Sequence, residues 1–147
     1  MRWMLILAAI AVASAVLLPA ASAGGDAKPA TLTLRKSQYG PILFAGNGRV
    51  LYSFTRDKRG RPPTCYGDCA RAWPVYFKPA GALTAGPGVK RALLKTVKRR
   101  DGRLQITYNG WPLYYYANEK AGEVKCQNVR THGGLWLVVR ASGKQVR

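Results

Sequence analysis

The sequence predicts an all-β fold with one minor helical turn: two tandem β-hairpin repeats packed about a pseudo-twofold axis as one antiparallel sandwich or barrel. Three observations predict it. Residues 31–60 laid on residues 93–122, an offset of 62, give nine identities in thirty positions, including Gly40/Gly102, Asn47/Asn109, Gly48/Gly110, Leu51/Leu113 and Tyr52/Tyr114. Each copy sets its Asn-Gly pair between two apolar, β-rich runs, and Asn-Gly tolerates the positive φ of a tight type I′ hairpin turn. Along the outgoing run side chains alternate, so Val50, Tyr52 and Phe54 share one face and Leu51 and Ser53 the other.

The elements follow in order. Residues 1–23 read as a cleaved signal peptide: Met1-Arg2, an apolar run from Trp3 to Leu18, then small residues at Ala21 and Ala23. The run is shorter than the roughly 20 residues of a spanning helix, so no stable membrane span is expected after cleavage. Residues 24–30 form a flexible tail, and 31–147 a single domain: repeat one over 31–77, a Pro/Gly/Ala-rich linker over 78–92, and repeat two over 93–147. Within repeat one, residues 68–72 allow one helical turn, which Pro74 ends by biasing Trp73 towards extended structure. In repeat two, Tyr114 and Tyr116 share a face, Leu113 and Tyr115 oppose them, and Tyr115 is the one expected at the surface. Trp136 and Val138 share a face of the closing strand. Neither repeat alone has the apolar surface for its own core, so the duplication builds one core from two halves.

Asp57 and Glu119 fall where each outgoing strand ends, as turn carboxylates accepting nearby backbone N–H bonds. With Cys65, Cys69 and Cys126 in an exported chain, oxidation is the default. Cys65 and Cys69, four apart, come within disulfide range in a turn, whereas a Cys65–Cys126 bond would staple the two halves. The local pair needs no assumption about docking, which leaves Cys126 odd, free or joining two chains as a dimer. Lys125 beside it would lower its pKa. The sharper alternative is extracytoplasmic redox or metal handling by Cys65, Cys69, Cys126 and His132, a set that zinc or copper accepts at permissive spacing.

Catalysis has little to use. His132, the one histidine, would have to meet Ser37, Ser53 or Ser142, none in a nucleophile-elbow pattern. No catalytic residue and no cofactor is expected. Charge says more: removing residues 1–23 leaves 23 basic against six acidic residues. Such an excess favours anionic envelope polymers or a protein partner, while export removes most nucleic-acid targets. The densest basic run includes Lys98, Arg99 and Arg100, and with Trp111 and Tyr115 it offers a ligand surface.

At these residues the sequence resembles the bacterial family of predicted lipoproteins with the Yx(FWY)xxD motif, also called the secreted repeat of unknown function. Tyr52-Ser53-Phe54-Thr55-Arg56-Asp57 fits that motif, and Tyr114, Tyr116 and Glu119 repeat it with Glu for Asp. Cys65-Tyr66-Gly67-Asp68-Cys69-Ala70 with Trp73-Pro74, and the closing Gly133-Gly134-Leu135-Trp136, also resemble family features. The resemblance implies export and this repeat fold, and supplies no activity. No Cys follows the leader, so lipid anchoring is not carried over. The reading is therefore an exported, non-catalytic β-repeat protein of the cell envelope or the secreted fraction that binds an anionic component or a partner protein.

Overall fold

The computed structural model describes residues 28–147; the predicted leader and the first part of the tail lie outside them. Among the described residues eight strands form three small antiparallel sheets, joined by one α-helical turn and one 3-10 turn, Arg91–Leu93. In repeat one, β1 (Leu32–Arg35) and β2 (Ile42–Ala45) make a hairpin, followed by β3 (Tyr52–Phe54). In repeat two, β4 (Leu94–Lys98) and β5 (Leu104–Tyr108) make the matching hairpin, followed by the short β6 (Trp111–Pro112). β7 (Val129–Thr131) and β8 (Gly134–Val138) close the chain. α1 (Asp68–Ala72) is the predicted helical turn, and Trp73 leaves it with extended φ, as a residue before proline should.

The two Asn-Gly pairs make different turns. Asn109 and Gly110 both take positive φ, 50° and 79°, and join β5 to β6 as the two-residue turn expected. In repeat one only Gly48 does; its N–H donates to the Ala45 carbonyl and the Ala45 N–H to that of Arg49, a three-residue loop over Gly46, Asn47 and Gly48. Gly46 lets the loop pass close to the preceding chain, since a Cβ there would lie 2.4 Å from the Ala30 carbonyl oxygen.

The repeats meet strand to strand at equivalent residues. Tyr52 and Tyr114 exchange both backbone hydrogen bonds at 2.9 Å, so the pseudo-twofold axis passes between them. The contact recurs further out, where Gly60 donates to the Gly110 carbonyl and Gly122 to that of Gly48, each at 2.9 Å. On the outer sides each repeat lends its closing segment to the other. β8, from repeat two, pairs with β3 of repeat one, and Val75, from repeat one, bridges to Tyr114 of repeat two. A ladder through Val75, Tyr114, Tyr52 and Val138 therefore runs across the middle of the molecule. Among the described residues the sheets do not close into a barrel.

Both faces of that ladder are covered, so two apolar cores form. Val50, Tyr52, Phe54, Tyr114, Trp136 and Val138 belong to one; Leu51, Leu113, Tyr115, Leu43, Ile106 and Val139 belong to the other. This is the alternation read from the sequence, with burial on each side. Residues 78–92 run beside β1 rather than free of it: Leu32 N–H donates to the Thr84 carbonyl, Gly86 N–H to that of Leu32, and Leu83 and Ala85 pack on the second core. Tyr115 is 9% exposed, tilted against Tyr76 with the Arg49 guanidinium 4.5 Å from its ring centroid; the expectation that it faces solvent is corrected.

Candidate functional site

The motif residues converge on the axis. Trp73 and Trp136 stack face to face, centroids 3.9 Å apart and 3° from parallel. Tyr52 meets Trp73 edge-on and Tyr114 meets Trp136 edge-on. The second motif aromatics then cross over: Phe54 of repeat one stacks on Trp136 at 4.1 Å, and Tyr116 of repeat two lies 4.9 Å from Trp73. Such stacked and edge contacts add to area burial.

The acids cross over as well. Tyr52 donates its hydroxyl to Glu119 at 2.8 Å, and Tyr114 donates to Asp57 at 2.7 Å, each tyrosine using the other repeat's carboxylate. Asp57 also accepts from the Thr64 N–H and hydroxyl, and Glu119 from the Lys125 N–H. The expected backbone role is thus present, and both acids are also buried, 2% and 5% exposed. Burial raises both above the ordinary carboxylate range, opposed by the hydrogen bonds they accept. Burial also drives the Tyr52 and Tyr114 hydroxyls far up, so they are donors at every working pH. This arrangement ties the two halves together through both motif acids.

The cysteines follow the local expectation. Cys65 and Cys69 form a disulfide at the start of α1, which rules out the Cys65–Cys126 staple. Cys126 is free and 8% exposed, and burial raises its thiol pKa, so the lowering expected from Lys125 does not prevail. The same burial works against a bridge between chains. His132 is exposed, at φ 53°, and among the described residues no group of three or more His, Cys, Asp or Glu side chains could hold a metal ion. The metal set of Cys65, Cys69, Cys126 and His132 is not assembled.

The basic run divides. Lys98 and Arg100 are exposed, but Arg99 is only 5% exposed, so the run does not form one continuous surface. Its guanidinium lies 4.1 Å from the Tyr66 ring centroid, and Arg100 lies 4.8 Å from the same ring. Arg99 Nη1 donates to Gln105 Oε1 at 2.6 Å and Nη2 to the Cys65 carbonyl at 2.7 Å, while Nε is buried with no acceptor. Beside it opens a cleft of about 490 Å³, lined by Tyr66, Pro74, Phe77, Arg99, Asp101 and Arg103 among others. Arg103 sits 3.9 Å over Phe77 and pairs with Asp101. Trp111 is half-buried, and neither it nor Tyr115 lines this cleft. Tyr66, Arg103 and Gln105 were not singled out from the sequence; Gln105 had a signal, since it stands at the apolar position that Leu43 fills in the other copy.

Two stretches of the chain, residues 33–76 and 95–140, match the family model described as a secreted repeat of unknown function. No curated protein and no solved structure gave a match. Among the described residues no helix is long and apolar enough to cross a membrane. The two matched stretches fall on the two halves that exchange tyrosine–carboxylate bonds across the axis, and together they cover more than half of the sequence: the chain belongs to the family of the secreted repeat of unknown function.

Proposed function

We propose that this protein is an exported, non-catalytic module that binds an anionic component of the cell envelope, a phosphate-rich or acidic polymer being the chemistry its charge fits. The observation that carries this reading is a surplus of cations with no carboxylate partner. Residues 28–147 hold 23 Lys and Arg against five Asp and Glu. Asp57 and Glu119 are buried against tyrosines, and Asp68, Asp101 and Glu123 pair with Arg71, Arg103 and Lys125. Among the described residues, 23 cations and three ion pairs leave 20 basic side chains unpaired by a carboxylate, and most of them are exposed.

Two further features support a binding rather than a catalytic role. The aromatic residues of the motif are spent on the core, and the Ser37 and Ser53 hydroxyls donate to the Gly40 and Leu137 carbonyls instead of facing a base. The test is retention of the protein on immobilised polyphosphate across a salt series. Counterion release predicts an affinity falling steeply and linearly on a log–log scale as salt rises. Retention that does not respond to salt overturns the reading.

A further inference from the structure

The two repeats supply an internal control for each other. At the tip of the first hairpin, Gly40 and Gly102 stand at equivalent positions with φ 80° and 83°, and each donates its N–H to the carbonyl three residues earlier, of Ser37 and Arg99. Repeat one makes this turn with a serine whose hydroxyl bonds the Gly40 carbonyl, and it fills the neighbouring buried position with Leu43. Repeat two puts a guanidinium at the first place and Gln105 at the second, both buried. The hairpins pair one residue out of step, Arg35 with Ile42 against Lys98 with Leu104, but nothing in either turn requires a buried charge.

Burying a guanidinium is costly unless an anion meets it. Among the described residues no carboxylate makes an ion pair with Arg99, and only the more distant charges of Asp57 and Asp101 reach it; its two hydrogen-bond partners are a neutral amide and a carbonyl, and its Nε–H has none. The cleft it lines adds the flat faces of Tyr66 and Phe77 and Arg103, whose Nε and Nη2 donate to Asp101 at the cleft wall and whose Nη1 is left for a ligand.

We propose that this cleft is a binding site for an oxyanion group, carboxylate or phosphate, received by Arg99 with Arg103 beside it, on a ligand whose flat apolar part lies along Tyr66 and Phe77. The site deepens the anionic-envelope reading above and rests on it for its biological source. Arg99 supplies a preorganised charge, held by Gln105 and Tyr66, where charge-assisted hydrogen bonds are strong because water is excluded. The exposed cations elsewhere attract polyanions without such geometry.

The experiment titrates the chain from Gly24 onward, disulfide intact, with inorganic phosphate and separately with benzoate, at fixed ionic strength, following arginine Nε–H and aromatic signals by NMR. The expected result is a saturable shift of Arg99 Nε–H with at least one probe: phosphate alone points to a phosphate ligand, while benzoate, also moving the Tyr66 and Phe77 rings, points to a carboxylate. Arg103→Gln, at an exposed position, should weaken binding about tenfold, the scale of one charge-assisted hydrogen bond; Arg130→Gln on β7 should leave it unchanged. Arg99→Met should abolish it, and should that variant not fold, Arg103→Gln keeps the test decisive. An unmoved Arg99 signal, or a linear drift shared by all exposed arginines, overturns the site. Salt-sensitive retention of the same sample on polyphosphate would then survive alone, whereas salt-insensitive retention overturns the broader reading independently.

Discussion

Tyr52 and Tyr114 are equivalent residues in equivalent surroundings, each bonded to the other repeat's acid; Ser37 and Arg99 are equivalent by the same offset and share only a turn. Around the axis the duplication has kept symmetry, because each half completes the other: a change in Asp57 leaves Tyr114, in the opposite repeat, without its acceptor. At the hairpin tips no such reciprocity binds the copies. Symmetry therefore marks where the fold constrains the sequence, and the broken symmetry at Arg99 is the feature on which the proposed oxyanion site rests.

The largest effect should come from breaking the exchange itself. Residues 31–77 and 93–147 expressed separately each lose the strand that the other lends, and we expect neither to show a cooperative unfolding transition alone, with near-UV circular dichroism returning when the two are mixed. A cooperative transition in either piece alone would show that the crossing is dispensable. Within the intact chain, Trp136→Ala removes the ring that contacts Trp73, Phe54 and Tyr114, and should cost about 3–5 kcal/mol in urea denaturation. Removing Leu104, the one exposed large apolar residue among the described residues, should cost far less, since little of its surface leaves water.

Next comes the disulfide, which belongs to the asymmetric region. Cys65 and Cys69 enclose a short loop, so replacing both by serine should cost about 2 kcal/mol on the chain-entropy scale. It should also disturb the Cys65 carbonyl that holds Arg99, visible as a shift of the Arg99 Nε–H signal. Tyr52→Phe and Tyr114→Phe should each cost about 1–2 kcal/mol, the loss of a buried hydrogen bond to a charged group. If the axis is as symmetric in energy as in geometry, the two costs will agree; a large difference would place more of the load on one pair.

Much of this was readable in advance for a physical reason. The repeat, the strands and their two faces follow from residue identity and period-two alternation, which are local properties. The partner of each tyrosine was not readable, because the sequence places Asp57 five residues from Tyr52 and gives no sign that a turn carries it to Tyr114 instead. Tyr115 was misplaced for a similar reason: its ring packs on Tyr76 and under the Arg49 guanidinium, both far away in sequence. Arg99 hid inside a basic run, where composition averages over the one member that turns inward.

The smallest effect concerns pH, and its sign is unusual for carboxylates. Asp57 and Glu119 are held above the ordinary carboxylate range by burial, so within the window from about pH 4 upward the folded chain binds protons more tightly than the unfolded one. Their contribution to stability is complete below the unfolded pKa and is lost as pH rises through the folded values. Asp101 and Glu123 have the opposite sign: their arginine and lysine partners and backbone bonds lower them, and their contribution is lost only as pH falls below about 4. Between pH 7 and pH 5 the buried pair governs, so the urea midpoint should rise slightly on acidification. Asp57→Asn removes one of the two titrating groups and, whatever it costs in stability, should make that rise shallower. A midpoint that falls from pH 7 to pH 5 in the parent chain would mean that the crossed tyrosines and backbone donors outweigh desolvation, and that both carboxylates stay charged within the core.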